Sequence, residues 1–196
     1  MIILIVCAST IITSCDFYDN PPVTSKQTTC FTVVDDLSNS PLDSALVTLT
    51  IRYTSGVYAS LSGTTDVQGK CCFEHEPASL YGLFVGKEGY VYLCTDKGFV
   101  PSPARLTPVA YLQLHVKNVP PNAVDDQIGI TYPDATCSGS HILIFQGANV
   151  DTTVTLTSRP GNNSISRISW HNNVRTDSTL STTMTSRNTT FVDILY

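Results

Sequence analysis

The sequence is poor in charge. Asp, Glu, Lys and Arg make up 14% of its 196 residues, and the net charge is −5. A chain charged so weakly, and on the acidic side, carries no electrostatic footprint for nucleic acid. It also lacks a helical period, since no long segment repeats its apolar residues at amphipathic spacing. No apolar run reaches the roughly 20 residues that a membrane-spanning helix needs. The seven cysteines form no CxxC pair, which argues against a zinc ribbon or a thioredoxin-type redox motif. No two of His75, His115, His141 and His171 stand at HExxH or similar ligand spacing. No Gly-x-Ser-x-Gly elbow occurs, so a hydrolase triad has no motif behind it. Asp35-Asp36 and Asp125-Asp126 lack the spaced acidic loop that collects calcium, and they read as turn-forming, solvated carboxylates. No metal, cofactor or catalytic residue is expected.

What is abundant points one way. Apolar residues at 42% can fill a core, and Thr, Ser and Val are frequent. β-branched side chains pack well on a pleated surface, so the expected fold class is all-β.

The chain opens with the apolar run Met1 to Ile12, followed by Thr13, Ser14, Cys15 and a polar stretch containing Asn20-Pro21-Pro22. The run is too short to span a membrane and suits the apolar part of a secretory signal. With small residues ahead of Cys15, the segment resembles a bacterial lipoprotein signal. That resemblance implies residues 1–15 as signal, Cys15 as the lipid-attachment site, the membrane as a partner through that anchor, and an address in the cell envelope, at the outer membrane. An ordinary cleaved signal and a buried first strand are the competing readings. Residues 16–29 are expected to be a tether, because Pro21-Pro22 favours extended backbone.

From Phe31 a strand pattern begins. Ala45, Val47, Leu49 and Ile51 fall on one side, with Thr48, Thr50 and Arg52 on the other. That alternation is what a half-buried strand requires. Asn39 can take a left-handed conformation, and Gly69 can supply positive φ for a tight connection. Cys71 and Phe73 share a face, with Cys72 opposite, and Tyr81, Leu83 and Val85 are expected to share a face of the next strand.

These positions form an ordered set: Val33, Asp35, Pro41-Leu42, Ala45, Val47, Leu49, Thr65-Asp66, Gly69, Phe73, Tyr81, Leu83, Val85 and Gly89-Tyr90. The segment resembles a carboxypeptidase regulatory-like domain, a small transthyretin-like β-sandwich. Phe31 and Ser44 stand where that pattern has glycine, and Cys71 where it has an aromatic residue. The resemblance implies a non-catalytic accessory module, found in exported and outer-membrane proteins, notably of Bacteroidetes-type bacteria. Its matching residues are turn and core positions, so no active site is carried over.

Residues 95–108 hold Gly98, Pro101, Pro103 and Pro108 and read as a linker. From Val109 about seven short strand-like runs follow, separated by turn signals. They predict a second, Ig-like β-sandwich. The expected organisation is thus two tandem β-sandwich domains, 30–94 and 109–196.

Three functional expectations follow. A binding or assembly module at the envelope leads, with a sheet edge or the sandwich-end loops as contact surface for an envelope protein. A glycan-binding accessory lipoprotein is the alternative, with Trp170, Tyr58 and Tyr92 as possible ligand contacts through sugar stacking. A hydrolase whose residues converge only in three dimensions is the third. Among Cys30, Cys71, Cys72, Cys94 and Cys137 connectivity is open, although Cys30 and Cys72 both fall on outward phases and can pair if their strands are neighbours.

Overall fold

The computed structural model describes residues 25–96, 101–120, 123–171 and 173–196. These residues form fourteen strands arranged as two β-sandwiches of seven strands each. The first sandwich contains β1 (Gln27–Asp35), β2 (Leu46–Arg52), β3 (Tyr58–Thr64), β4 (Lys70–His75), β5 (Ser79–Gly86), β6 (Leu93–Thr95) and β7 (Ala104–Leu106). The second contains β8 (Ala110–Lys117), β9 (Gln127–Tyr132), β10 (His141–Gln146), β11 (Asp151–Ser158), β12 (Gly161–His171), β13 (Val174–Met184) and β14 (Thr189–Leu195).

The two sandwiches repeat one topology. The first pairs a sheet of order β4-β1-β7 with one of order β3-β2-β5-β6; the second pairs β11-β8-β14 with β10-β9-β12-β13. Strand for strand, seven positions further along the strand list, the order is the same. In each, the last strand lies parallel to the first: β7 beside β1, and β14 beside β8.

Alternation explains the cores. Ala45, Val47, Leu49 and Ile51 are all buried and pack with Phe31, Val33, Leu83 and Val85. Leu112, Leu114 and Val116 pack with Ile128, Ile130, Ile165 and Ile194 in the second core. Turns fall where backbone freedom permits. Asn39 and Gly69 have φ of 57° and 72°. Ser44, which occupies a glycine position of the resembled pattern, has φ of 51°, a conformation glycine adopts without strain.

Three expectations need adjustment. The stretch 95–108 is more than a connector, because Ala104 and Leu106 are fully buried in the first core and β7 completes the first sheet. Its period was hidden because three residues are too few to show alternation. The end of the expected tether, Gln27–Thr29, belongs to β1 and pairs with β4. Tyr81 leaves the face of Leu83 and Val85. A register shift against Thr50/Ile51 places Leu80 toward the core and turns Tyr81 outward against Tyr58, with ring centroids 4.9 Å apart. One extra residue in a strand inverts the phase of what precedes it.

The sandwiches are joined by more than the chain. A disulfide links Cys94 of β6 to Cys137 in the loop after β9. The Tyr92 amide donates to the Ala135 carbonyl at 2.9 Å, and the Val109 amide to the Gly89 carbonyl at 2.9 Å. Asp35, 2% exposed, accepts from Arg187 Nη2 at 2.7 Å, the Tyr90 hydroxyl at 2.9 Å and the amides of Leu37 and Ser38 at 2.8 and 2.9 Å.

Candidate functional site

Side chains of β10, β9, β12 and β13 that point away from the second core line up in rows, because directly opposed residues of antiparallel strands share a face. One row reads Gln146, Gln127, Trp170, Arg175. The next reads Ile144, Gly129, Ile168, Asp177, and the third Ile142, Thr131, Ser166, Thr179. Ile142 and Ile144 are 59% and 65% exposed, and Trp170 is 37% exposed. Gly129 has no side chain, and a Cβ there would touch only the Ile168 carbonyl at 3.9 Å. The face is therefore flat at its centre, apolar toward β10 and polar toward β13.

Arg175 decides what Trp170 offers. Its guanidinium carbon lies 5.9 Å from the Trp170 ring centroid, and two hydrogen bonds of 2.9 Å to Asp177 hold it in place. A cation over the ring draws on the same π surface that a sugar would stack on.

Beneath this end of the sheet sits a buried polar cluster. Asp126 is fully buried and accepts from Asn118 Nδ2 at 3.0 Å and the Ala123 amide at 2.8 Å. His171 Nδ1 lies 2.9 Å from its other oxygen. Burial pushes the Asp126 carboxyl up, but the Ala123 amide, Asn118 and His171 outweigh it and hold the group below the usual carboxylate range. This cluster fixes the end of β12 immediately beside Trp170.

The opposite outer face carries a histidine clamp. His115 on the central strand β8 contacts Asp151 of β11 through Nε2 at 2.8 Å and Asp193 of β14 through Nδ1 at 3.0 Å. Hydrogen bonds to Asp151 and Asp193 raise its pKa above the ordinary value. Both ring nitrogens are engaged, so neither is free to take a proton from a substrate.

The three aromatic residues expected as ligand contacts are not brought together. Trp170 lies in the second sandwich. Tyr58, at the start of β3 in the first, stacks edge-on with Tyr81 and sits 5.6 Å below Arg52. Tyr92 precedes β6, near the join, and packs edge-on against Phe84 at 5.5 Å. Cys15 and residues 1–24 lie outside the described residues. Asp35 spends its oxygens on turn amides and on the join, as a turn former does, but it and Asp126 are buried and not solvated, because hydrogen-bond donors take the place of water around each carboxylate. His75 is buried, with contacts to Thr29 Oγ1 and the Glu76 carbonyl.

Among the described residues, four of the five cysteines form two pairs. Cys30 and Cys72 are register partners on β1 and β4 and form a disulfide, and Cys94 pairs with Cys137. Cys71 is free and buried. Sequence reasoning missed Arg187 and the exposed edge at Ile142 and Ile144. The absence of charge from Thr136 to Val150 was the available signal for the edge.

No family model and no curated protein matches the chain. Solved structures that it is similar to include the streptococcal ancillary pilin, at 13% identity and a TM-score of 0.40, over 88% of this chain and 63% of that one. A putative adhesin from Bacteroides ovatus is 12% identical, with a TM-score of 0.35 over 99% and 98% of the two chains. The Bacillus anthracis TIE protein is 13% identical, with a TM-score of 0.32 over 87% of this chain. The chain spans 34% of that protein's length.

Proposed function

We propose that the chain is a non-catalytic binding or assembly module held at the bacterial cell envelope, at the outer membrane, by a lipid on Cys15. Its contact surface is the outer face of the sheet β10-β9-β12-β13. One observation carries the surface: Ile142, Ile144 and Trp170 stand exposed around the level floor at Gly129. Apolar groups gathered on one exposed face mark contact sites more often than scattered ones do.

The first sandwich is read as a carboxypeptidase regulatory-like, transthyretin-like domain. Ser44 at positive φ and the hydrogen bond between the motif residues Asp35 and Tyr90 support that reading. The saturated nitrogens of His115 favour a binding role over a hydrolytic one. Among possible partners an envelope protein is favoured over a glycan, because Arg175 already engages the Trp170 ring.

The anchor is tested by feeding cells a labelled fatty acid. Label is expected in the wild type and not in Cys15→Ser, and equal labelling of both removes the anchor. The contact face is tested with a photo-reactive residue at position 144 or at position 174 in living cells. A discrete adduct is expected from 144 alone, and its absence there removes the face. Binding on a glycan array that Trp170→Ala abolishes would instead establish the glycan reading.

A further inference from the structure

We infer that β10 pairs edge to edge with β10 of a second copy of this chain, joining two four-stranded sheets into one of eight strands. β10 ends its sheet, and among the described residues nothing pairs with its outer side. An open strand edge offers a row of unpaired amides and carbonyls, which proteins ordinarily guard with charge, proline or a bulge. From Thr136 to Val150 the chain holds no Asp, Glu, Lys, Arg or Pro, and the β10–β9 register runs without a shift.

The fold does not require this. β3 occupies the same topological place in the first sandwich, at the end of the order β3-β2-β5-β6. Its outward side chains are Tyr58, Ser60, Ser62 and Thr64, mostly small and polar, whereas β10 presents Ile142 and Ile144. Two strands with one structural duty and different outer surfaces place the cause of the difference outside the fold.

Charge selects the occupant. A strand carrying charged side chains would set them against Ile142 and Ile144 and lose their hydration. Five of the other edges carry charge: Arg175 and Asp177 on β13, Asp151 on β11, Asp193 on β14, Lys70 and Glu74 on β4, Arg105 on β7. β3 is uncharged too, but its outward Ser60, Ser62 and Thr64 offer Ile142 and Ile144 no apolar partner. β6 is three residues long. β10 is uncharged, six residues long and apolar at alternate positions, so it meets its own requirement. Run antiparallel about a two-fold axis, Ile142 faces Ile144 of the second copy on the outer side and the two Leu143 side chains meet on the inner side. A contact built on six residues is at the low end of interface sizes, so the dimer is weak, with a dissociation constant on the order of micromolar to millimolar.

The inference rests on the contact face proposed above and not on the lipid anchor. Sedimentation equilibrium of the full chain, from on the order of micromolar upward, is expected to show a monomer–dimer equilibrium. Ile144→Lys is expected to weaken it at least about tenfold, the cost of burying one charge at the seam. Val174→Lys, equally exposed on the opposite edge strand β13, is expected to leave it unchanged. Ile144 is exposed, so its variant keeps the wild-type circular dichroism spectrum; Ile142→Lys is the second edge variant. A wild type that stays monomeric throughout overturns the inference, as does a dimer indifferent to both edge variants or equally weakened by Val174→Lys. A monomeric wild type that still cross-links from position 144 to a protein of different mass removes self-pairing and leaves the contact face standing.

Discussion

Asp35→Ala tests how one buried carboxylate holds a turn of the first sandwich and also meets Arg187 of the second. The carboxylate is 2% exposed and has four donors: two turn amides, the Tyr90 hydroxyl and Arg187. Alanine leaves the part-buried amides of Leu37 and Ser38 and the Tyr90 hydroxyl without their acceptor, at about 1 kcal/mol each. The Arg187 side chain is 62% exposed and can turn to water, so its share is at most about 1 kcal/mol. The expected loss is about 3–4 kcal/mol, or roughly 6–16 °C in the melting temperature of a chain this size. Arg187→Ala should cost no more than about 1 kcal/mol. The pH dependence has a fixed sign. Burial raises the Asp35 carboxyl, but the Ser38 and Leu37 amides and the Tyr90 hydroxyl more than offset it and hold it below the usual value. A carboxyl depressed in the folded state contributes its stability above the unfolded pKa and loses it as pH falls through the folded one. The gap between wild type and Asp35→Ala should therefore narrow in acid. Scanning calorimetry of wild type and both variants at neutral and acid pH measures all three quantities. An Asp35→Ala loss below about 1 kcal/mol, or an Arg187→Ala loss equal to it, would refute the reasoning.

Four further outcomes follow from the structure. Gly69→Ala should cost about 2 kcal/mol or more in denaturant melts, since φ is +72° and a Cβ would lie 2.5 Å from the Val33 carbonyl. Gly56→Ala, with φ of +84° but open space around it, should cost less. His115 should stabilise the fold most below about pH 6.5 and lose that contribution as pH rises through its raised folded pKa, so the melting curves of wild type and His115→Ala should converge in alkali. Non-reducing peptide mapping should find Cys30–Cys72 and Cys94–Cys137, with Cys71 alkylated only after unfolding. Replacing Cys94 and Cys137 by serine should cost about 4 kcal/mol, the closure entropy of a loop spanning 43 residues.

Much of the fold was legible because its signal is local. Alternation at Ala45–Ile51 and at Leu112–Val116 named the core-facing residues, and Asn39 and Gly69 marked turns by their tolerance of positive φ. The misreadings have local causes as well. β7 is too short for a period to show, and the register shift near Tyr81 reverses the phase on which a face assignment depends. The candidate site was legible only in part. Trp170 was singled out as a type of residue, but its Arg175 neighbour across the β12–β13 ladder was not.

The sequence by itself determined that this chain makes strands, which side of most of them is apolar, and where the backbone can turn. Those properties depend on residues two to four positions apart. Only the tertiary structure decided that both halves repeat one strand order, that Arg187 reaches Asp35, that Cys94 finds Cys137, and that β10 ends its sheet. Which strand lies at an edge, and which distant groups meet, follows from how whole sheets pack, and no spacing along the chain encodes that.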